Sequence, residues 1–341
     1  MFIIHLKYKR LNRNRTPFLK FTLFIIFFST IFLNTNLSLF SKEIGISAAE
    51  FSLIPVNPKL IGISESACGL SGDASYGFSN PSSISFLERR SISFSTLIYI
   101  ESSYLLDFIY AAPTEDDAIS TFAIGFRAYR SLPQVINNYQ GEPDLRRVDL
   151  LNVLLFINYT YNLKELVGFD LICGARINLI REDFIDDNAV GANLDFGLLY
   201  KINTLSIGLS FLHLGPSLRS SKHNFMLPMP MSANLGLGLN VFKIDKLVDI
   251  TLSSSANLLF EDLKNEDTED RLPKWSLGFE GKGLDIFSIR AGYVITGGTY
   301  KYTVGLGAWY DFGEYYLELN YAFLPMNYGN YTHSIGIDFG F

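Results

Sequence analysis

The sequence has two cysteines in 341 residues, which excludes a disulfide scaffold and a four-cysteine zinc site. Its four histidines, His5, His213, His223 and His333, are scattered and mark no metal centre. Charge is sparse: 18% of residues are charged, while 48% are hydrophobic and 15% aromatic, a balance that excludes a disordered chain. Long apolar runs are missing too. After the first forty or so residues, no run approaches the ~18–20 residues of a spanning helix. A hydrophobic chain without such runs must distribute its apolar residues at a short period. Basic charge is confined in one respect: residues 1–41 carry Lys7, Lys9, Arg10, Arg13, Arg15 and Lys20 and no acid. The remainder holds 22 basic against 34 acidic residues, a net charge of −12. That sign excludes nucleic acid as a partner, because such affinity comes mainly from neutralising phosphates.

The basic stretch precedes Phe21–Leu33, FTLFIIFFSTIFL. A charged region followed by an apolar segment of this length is an export signal, assigned to residues 1–41. Ser41 and the cluster Ser47-Ala48-Ala49 both qualify for cleavage, so processing falls as late as residue 49; an uncleaved anchor is the alternative. Cys68 lies too far downstream for a lipid anchor.

From about residue 91 the period is two. Ala233, Leu235, Leu237, Leu239 and Val241 alternate with Asn234, Gly236, Gly238 and Asn240. Tyr302, Val304, Leu306, Ala308 and Tyr310 alternate with Thr303, Gly305 and Gly307, and Ile335, Ile337, Phe339 and Phe341 with Ser334, Gly336, Asp338 and Gly340. Successive strand side chains point to opposite faces, so each segment has one apolar and one polar face. Three features favour a membrane barrel over a soluble sandwich. The segments run to about ten residues, enough for a tilted strand to cross a bilayer. Tyr and Phe gather near segment ends. The polar faces are mostly Gly, Ser, Asn and Thr, which suits a wet or loosely filled lumen.

The pattern predicts an all-β protein, a transmembrane antiparallel barrel of about fourteen strands over residues 91–341. The strands fall near 91–100, 103–111, 119–129, 148–161, 167–180, 190–201, 204–214, 231–241, 247–260, 274–281, 285–296, 300–310, 314–324 and 332–341. Links after odd strands (130–147, 181–189, 215–230, 261–273) are long and those after even strands mostly short, which puts both barrel termini on the periplasmic side. The short links near Glu101 and at Gly297-Gly298 break this parity.

Residues 42–90 lack alternation and form an amino-terminal plug segment, inside the barrel or across its periplasmic mouth. They contain Gly72-Asp73-Ala74, then Asn80-Pro81, then the first strand. That order resembles the start of FadL-like outer-membrane proteins, closest to the PorV/PorQ type. Ser82-Ser83 stands where that type has Ala-Gly, and Gly72 replaces its first Asp. The resemblance implies a fourteen-stranded barrel with a plug, in the bacterial outer membrane. It implies either passage of a hydrophobic, fatty-acid-like solute or, alternatively, an adaptor holding secreted or periplasmic proteins.

No nucleophile–base set has a usable spacing, so no enzyme activity, cofactor or metal is expected. The lumen-facing ionisable residues, Asp107, Arg127, Asp170, Arg176, Asp195, Glu280, Arg290, Glu318 and Asp338, fall singly on different strands and read as a polar lumen network. Cys173 reads as a small lipid-facing residue. The acidic stretch Glu261–Asp270 reads as a solvated loop. Phe225, Met226, Leu227 and Met229, stiffened by Pro228 and Pro230, are the candidate collecting site for a hydrophobic ligand, since exposed apolar clusters mark binding; the start of a lipid-facing strand is the plainer reading of Met229 and Met231. Phe339 and Phe341 resemble the terminal signal read by barrel-assembly machinery. The expected partners are the lipid bilayer, that machinery and a hydrophobic ligand.

Overall fold

The computed structural model describes residues 47–99, 103–114, 119–137, 143–184, 187–222, 226–244, 247–260, 273–284, 286–295, 301–326 and 330–341. The expected export signal at 1–41, Phe225 and the acidic stretch 261–270 lie outside the described residues.

Fourteen strands form the wall: β1 (Ser91–Ile98), β2 (Tyr104–Pro113), β3 (Ser120–Arg130), β4 (Leu151–Asn162), β5 (Leu171–Asp183), β6 (Asn188–Ile202), β7 (Leu205–Leu214), β8 (Ser232–Ile244), β9 (Val248–Leu259), β10 (Lys274–Gly283), β11 (Phe287–Val294), β12 (Tyr302–Asp311), β13 (Tyr316–Pro325) and β14 (Tyr331–Gly340). Each pairs antiparallel with its neighbours, and β1 closes on β14 from Ser91↔Gly340 to Ile98↔His333. The barrel is therefore closed. Its first and last wall residues share one end, the turn end; the long connections crowd the other, the loop end.

The period-two pattern explains the two surfaces. Outward residues such as Ile177, Leu235 and Ile337 are 55%, 52% and 45% exposed, while their inward neighbours Asn178, Asn234 and Gly336 are buried. An apolar outer face on almost every strand is stable only under hydrocarbon, and a closed ladder leaves no unpaired backbone there. Among the described residues no helix is long and apolar enough to cross a membrane; the chain crosses with strands.

Two boundaries differ from the sequence reading. The strand expected from 167 starts at Leu171, because Lys164–Val167 form a helical turn ended by Gly168 at φ 85°. Asp170, expected in the lumen, consequently sits at the turn end, 3.1 Å from Lys164. β7 is regular only to Leu212, since His213 takes φ 59°.

Residues 47–90 thread the lumen as short helical turns: Glu50–Leu53, Pro58–Gly62, Ala74–Phe78 and Pro81–Ile84. The segment begins near the loop end, where the Ala48 amide donates to the Pro228 carbonyl at 2.8 Å. It leaves at the turn end into β1. The core lies between plug and wall: Val56 and Ile61 share one apolar cluster with Leu97, Leu105, Val294 and Leu324 of the wall. The inward glycines do not line loose, wet space. β-Carbons at Gly208 and Gly236 would overlap the backbone of Cys68 and Gly69, and one at Gly174 the backbone of Pro81-Ser82. The glycine faces let the plug backbone lie directly on the wall.

Candidate functional site

The lumen charges that fall singly along the chain face each other across the ladder. Asp107 registers with Arg127, Arg176 with Asp195, and Glu280 with Arg290. Arg127 grips Asp107 with two bonds of 2.7 Å, and Arg176 reaches Asp195 at 2.6 Å. Two of these three arginines, Arg127 and Arg176, also turn to the plug. Arg127 donates to the carbonyls of Ser52 and Ile54 at 2.7 and 2.9 Å, and Arg176 to that of Gly77 at 2.8 Å. Wall carboxylates neutralise them, and plug carbonyls use their remaining donors.

The fourth register pair is of like sign: Glu318 stands directly opposite Asp338. Two buried carboxylates so placed repel. Lys59, from the Pro58–Gly62 turn of the plug, resolves this. Its ammonium lies 2.7 Å from Glu318, 3.0 Å from Asp338 and 2.6 Å from Asp73. Burial alone would lower the Lys59 pKa, but Asp338, Asp73 and Glu318 outweigh burial and hold it well above the ordinary value. Burial likewise would raise the Asp73 carboxyl; Lys59 and the Ser75 hydrogen bonds reverse this and leave it well below the carboxylate range. Lys59 thus ties two plug segments to two wall strands. Sequence reasoning missed it, because it lies in no motif. The available signal was an acid on each of the last two strands with no base to match.

The plug motif has specific work. Asp73 caps the Ala74–Phe78 turn through the Ser75 amide at 2.8 Å, and Ala74 opens that turn, 4% exposed. Gly72, at φ 88°, makes the bend before it. Asn80 caps the Pro81–Ile84 turn through the Ser82 amide and donates to the carbonyls of Cys68 and Leu198 at 2.9 and 3.1 Å. Pro81 starts the turn, and its carbonyl accepts from Asn158 at 3.1 Å. Asn158, within a glycosylation sequon by sequence, is thereby buried in the lumen.

At the loop end the wall divides. β6 pairs with β7 up to Leu194↔Leu214, with a register shift below it, and then pairs with the short strand Leu218–Ser220 instead. That strand pairs with Met226–Leu227, while β8 starts only at Ser232, opposite Leu212. Among the described residues no ladder bond joins the 218–227 hairpin to β8. Pro228–Met231 spans this split. Met229 and Met231, 4% and 8% exposed, join Phe51, Ala48 and Ala49 of the plug and Leu218 of the hairpin in one apolar cluster, with Leu227 packed against it. Neither methionine begins a lipid-facing strand, because the plug and rim loops cover both. Met226 is 58% exposed. Of the four proposed collecting residues, the structure brings Leu227 and Met229 together and turns Met226 outward.

Inside the split lies a cavity of about 170 Å³, lined by plug residues Leu53, Leu60 and Phe78 and wall residues Leu212, Ser232 and Ser276, among others. A second, of about 200 Å³, lies towards the turn end between Lys59, Asp73 and Tyr76 of the plug and Asp249, Glu280 and Lys282 of the wall. Cys173 faces outward beside Ala175, and Phe339 and Phe341 stack at the turn end with ring centroids 5.7 Å apart.

No protein-family model and no curated protein matches the chain. Solved structures do. A deltaS2S3 mutant of the monoaromatic hydrocarbon channel TodX aligns with 13% identity and TM-score 0.52, over 83% of this chain and 97% of that one. The Pseudomonas putida toluene transporter TodX aligns with 14% identity and TM-score 0.49, over 82% and 96%. A Pseudomonas aeruginosa FadL homologue aligns with 12% identity and TM-score 0.46, over 84% and 97%. At these identities the likeness is one of fold, and the first alignment carries it.

Proposed function

We propose that this barrel sits in a bacterial outer membrane, loop end outward, and passes a hydrophobic small molecule inward. The observation that carries this reading is the split between the 218–227 hairpin and β8. It is the place where the described wall lacks a ladder, and apolar residues span it against a lumen cavity. An apolar solute concentrated at the membrane surface meets an apolar entrance there, whereas the other described strands are joined by ladders. The names of the similar solved structures, a monoaromatic hydrocarbon channel and a toluene transporter, point the same way.

The adaptor reading draws support from the tightly seated plug, and a PorV/PorQ-like placing rests on Gly72-Asp73-Ala74 and Asn80-Pro81. One experiment separates the two readings. Proteoliposomes carrying the protein take up radiolabelled toluene or a fluorescent fatty acid faster than empty ones if it is a transporter. Replacing Phe225, Met226, Leu227 and Met229 by Ala then slows uptake at limiting solute. Each lost apolar contact is worth about 1.5–3 kcal/mol, roughly tenfold or more in affinity. Unchanged uptake in the folded variant removes this loop from the route, and no uptake by the parent protein leaves the adaptor.

A further inference from the structure

We infer that Arg181 and Arg219 form a docking site for one phosphorylated lipid of the outer leaflet, which ties the 218–227 hairpin to the wall. The inference rests on the outer-membrane, loop-end-outward placing proposed above, and not on the solute.

The register brings the two arginines together. Arg181 of β5 stands opposite Val190 of β6, and Val190 stands opposite Arg219 of the hairpin. The three form one row across adjacent strands, so the arginines lie two strand spacings apart, about 10 Å. All three point outward and are exposed, while their chain neighbours Ile180, Ala189, Leu218 and Ser220 are buried. Towards the turn end the same face is apolar: Leu179, Ile177 and Ala175 on β5, then Ala192, Leu194 and Phe196 on β6. The strip on β6 stays uncharged down to Tyr200, whose ring meets that of Phe169 with centroids 5.2 Å apart. From Val190 to Tyr200 the strand runs about 33 Å, which at a tilt of ~40° is about 25 Å of height, the height of an apolar band. The row therefore lies at the level of the outer headgroups.

Chemistry selects the occupant. Two acids of this rim are turned to other work. Glu182 accepts from the Ala49 amide at 2.8 Å, and Asp187 from the Ser221 hydroxyl at 2.7 Å and the Lys222 amide at 3.1 Å. Asp183 reaches Arg181 through one bond of 3.1 Å, with the Arg181 side chain 61% exposed. An exposed pair of this kind contributes little, and the guanidinium keeps further N–H donors. A phosphate offers three oxygens, enough to accept from two guanidiniums at once, and arginine's planar fork matches it. The acyl chains of a phosphorylated lipid then lie on the apolar strip beneath the row. A soluble anion gains the charge contact without that burial. Position gives the consequence. The hairpin joins β6 through the pairs Arg219↔Val190 and Ser220↔Ala189, and its other strand borders the split. A headgroup held by both arginines adds a second tie, from the hairpin across Val190 to β5.

Native mass spectrometry of the purified full-length protein in detergent, titrated with lipid A as the phosphorylated probe, tests the inference. The expected result is one lipid A per chain, bound about tenfold or more tighter than by Arg181→Gln/Arg219→Gln, the range of a charge-assisted hydrogen bond. Arg130→Gln, at an exposed arginine of β3 outside the row, should leave binding unchanged. Dephosphorylated lipid A should bind the parent as weakly as lipid A binds the double variant. Inorganic phosphate at the same concentration should not displace lipid A. Bound lipid A should also slow tryptic cleavage after Lys222 in the parent and not in the double variant. Both arginines are exposed, so the variants should fold, as heat-modifiable migration would show. Parent-like binding by the double variant, an equal loss in Arg130→Gln, equal binding of the dephosphorylated lipid, displacement by phosphate, or cleavage indifferent to lipid overturns the inference. Orientation is read separately, with Lys222→Cys in a Cys173→Ser background labelled on whole cells by a membrane-impermeant maleimide. Labelling without lipid binding sinks the docking site alone; absent labelling sinks the placing on which it rests.

Discussion

At the scale of single residues, Lys59 bears the most consequence. It is one ammonium among three carboxylates, two of which would otherwise face each other across β13 and β14. Lys59→Met leaves Asp338 buried without its cation and Glu318 with Arg290 alone, 3.2 Å away, and breaking a buried pair this way costs about 3–5 kcal/mol. Cys68 provides the readout. It is 1% exposed, and burial pushes its thiol pKa up to about 12, so it is inert while the plug is seated. In a Cys173→Ser background, Cys68 should resist maleimide in the parent and react in Lys59→Met. Adding Asp73→Asn, Glu318→Gln and Asp338→Asn should restore most of the protection, because with all three carboxylates neutral the site needs no counter-ion. Failure of that rescue refutes the charge argument. The pH dependence follows from the two plug groups. The raised Lys59 pKa gives stability that is full below its ordinary 10.5 and lost as pH rises through the folded value. The depressed Asp73 pKa gives stability that is full above its ordinary 3.8 and lost as pH falls towards the folded value. Between 3.8 and 10.5 these two groups should keep the plug seated, and channel recordings should show no pH-driven opening assignable to them.

At the scale of elements, the inward glycines and the last strand make separate predictions. Gly208→Val places a side chain against the Cys68 carbonyl, yet its outward neighbours Ile207 and Leu209 still pattern the strand. The barrel should close with its plug displaced, giving normal heat-modifiable migration together with rapid Cys68 labelling. A protected Cys68 would show that the wall yields instead. Deleting Ile335–Phe341 acts differently. It removes the partners of Ser91–Thr96 on one side and of Tyr316–Tyr321 on the other. Unpaired backbone groups then face lipid, at several kcal/mol each, so stable insertion should be lost. Heat-modifiable migration of the truncated chain would contradict this.

At the scale of the whole molecule, the plug's first described residues bear on where an export signal would be removed. Ala48 and Ala49 are wholly buried, and their amides bond the Pro228 carbonyl and the Glu182 carboxylate at 2.8 Å each. Cleavage after Ala49 deletes both ties at the split. The chain in the membrane should therefore begin before Ser47, and amino-terminal sequencing that starts at Glu50 would refute this.

The sequence by itself determined the wall. Alternation at period two is local, so Leu235 against Asn234, or Ile337 against Gly336, tells which face each residue takes before any partner is known, and link lengths tell which end each strand reaches. The plug motif Gly72-Asp73-Ala74 and Asn80-Pro81 stood out in the sequence, but that Asp73 and Asn80 cap turns came only with the structure. Tertiary structure alone decided what fills the barrel. Whether an inward glycine faces water or another backbone depends on the segment threaded past it, and Gly208 meeting Cys68 is a contact between residues 140 apart in sequence. The join of Lys59 to Glu318 and Asp338 is of the same kind, as is the split at Ser232, because both depend on how strands and plug meet around a closed circle, and no local period encodes that.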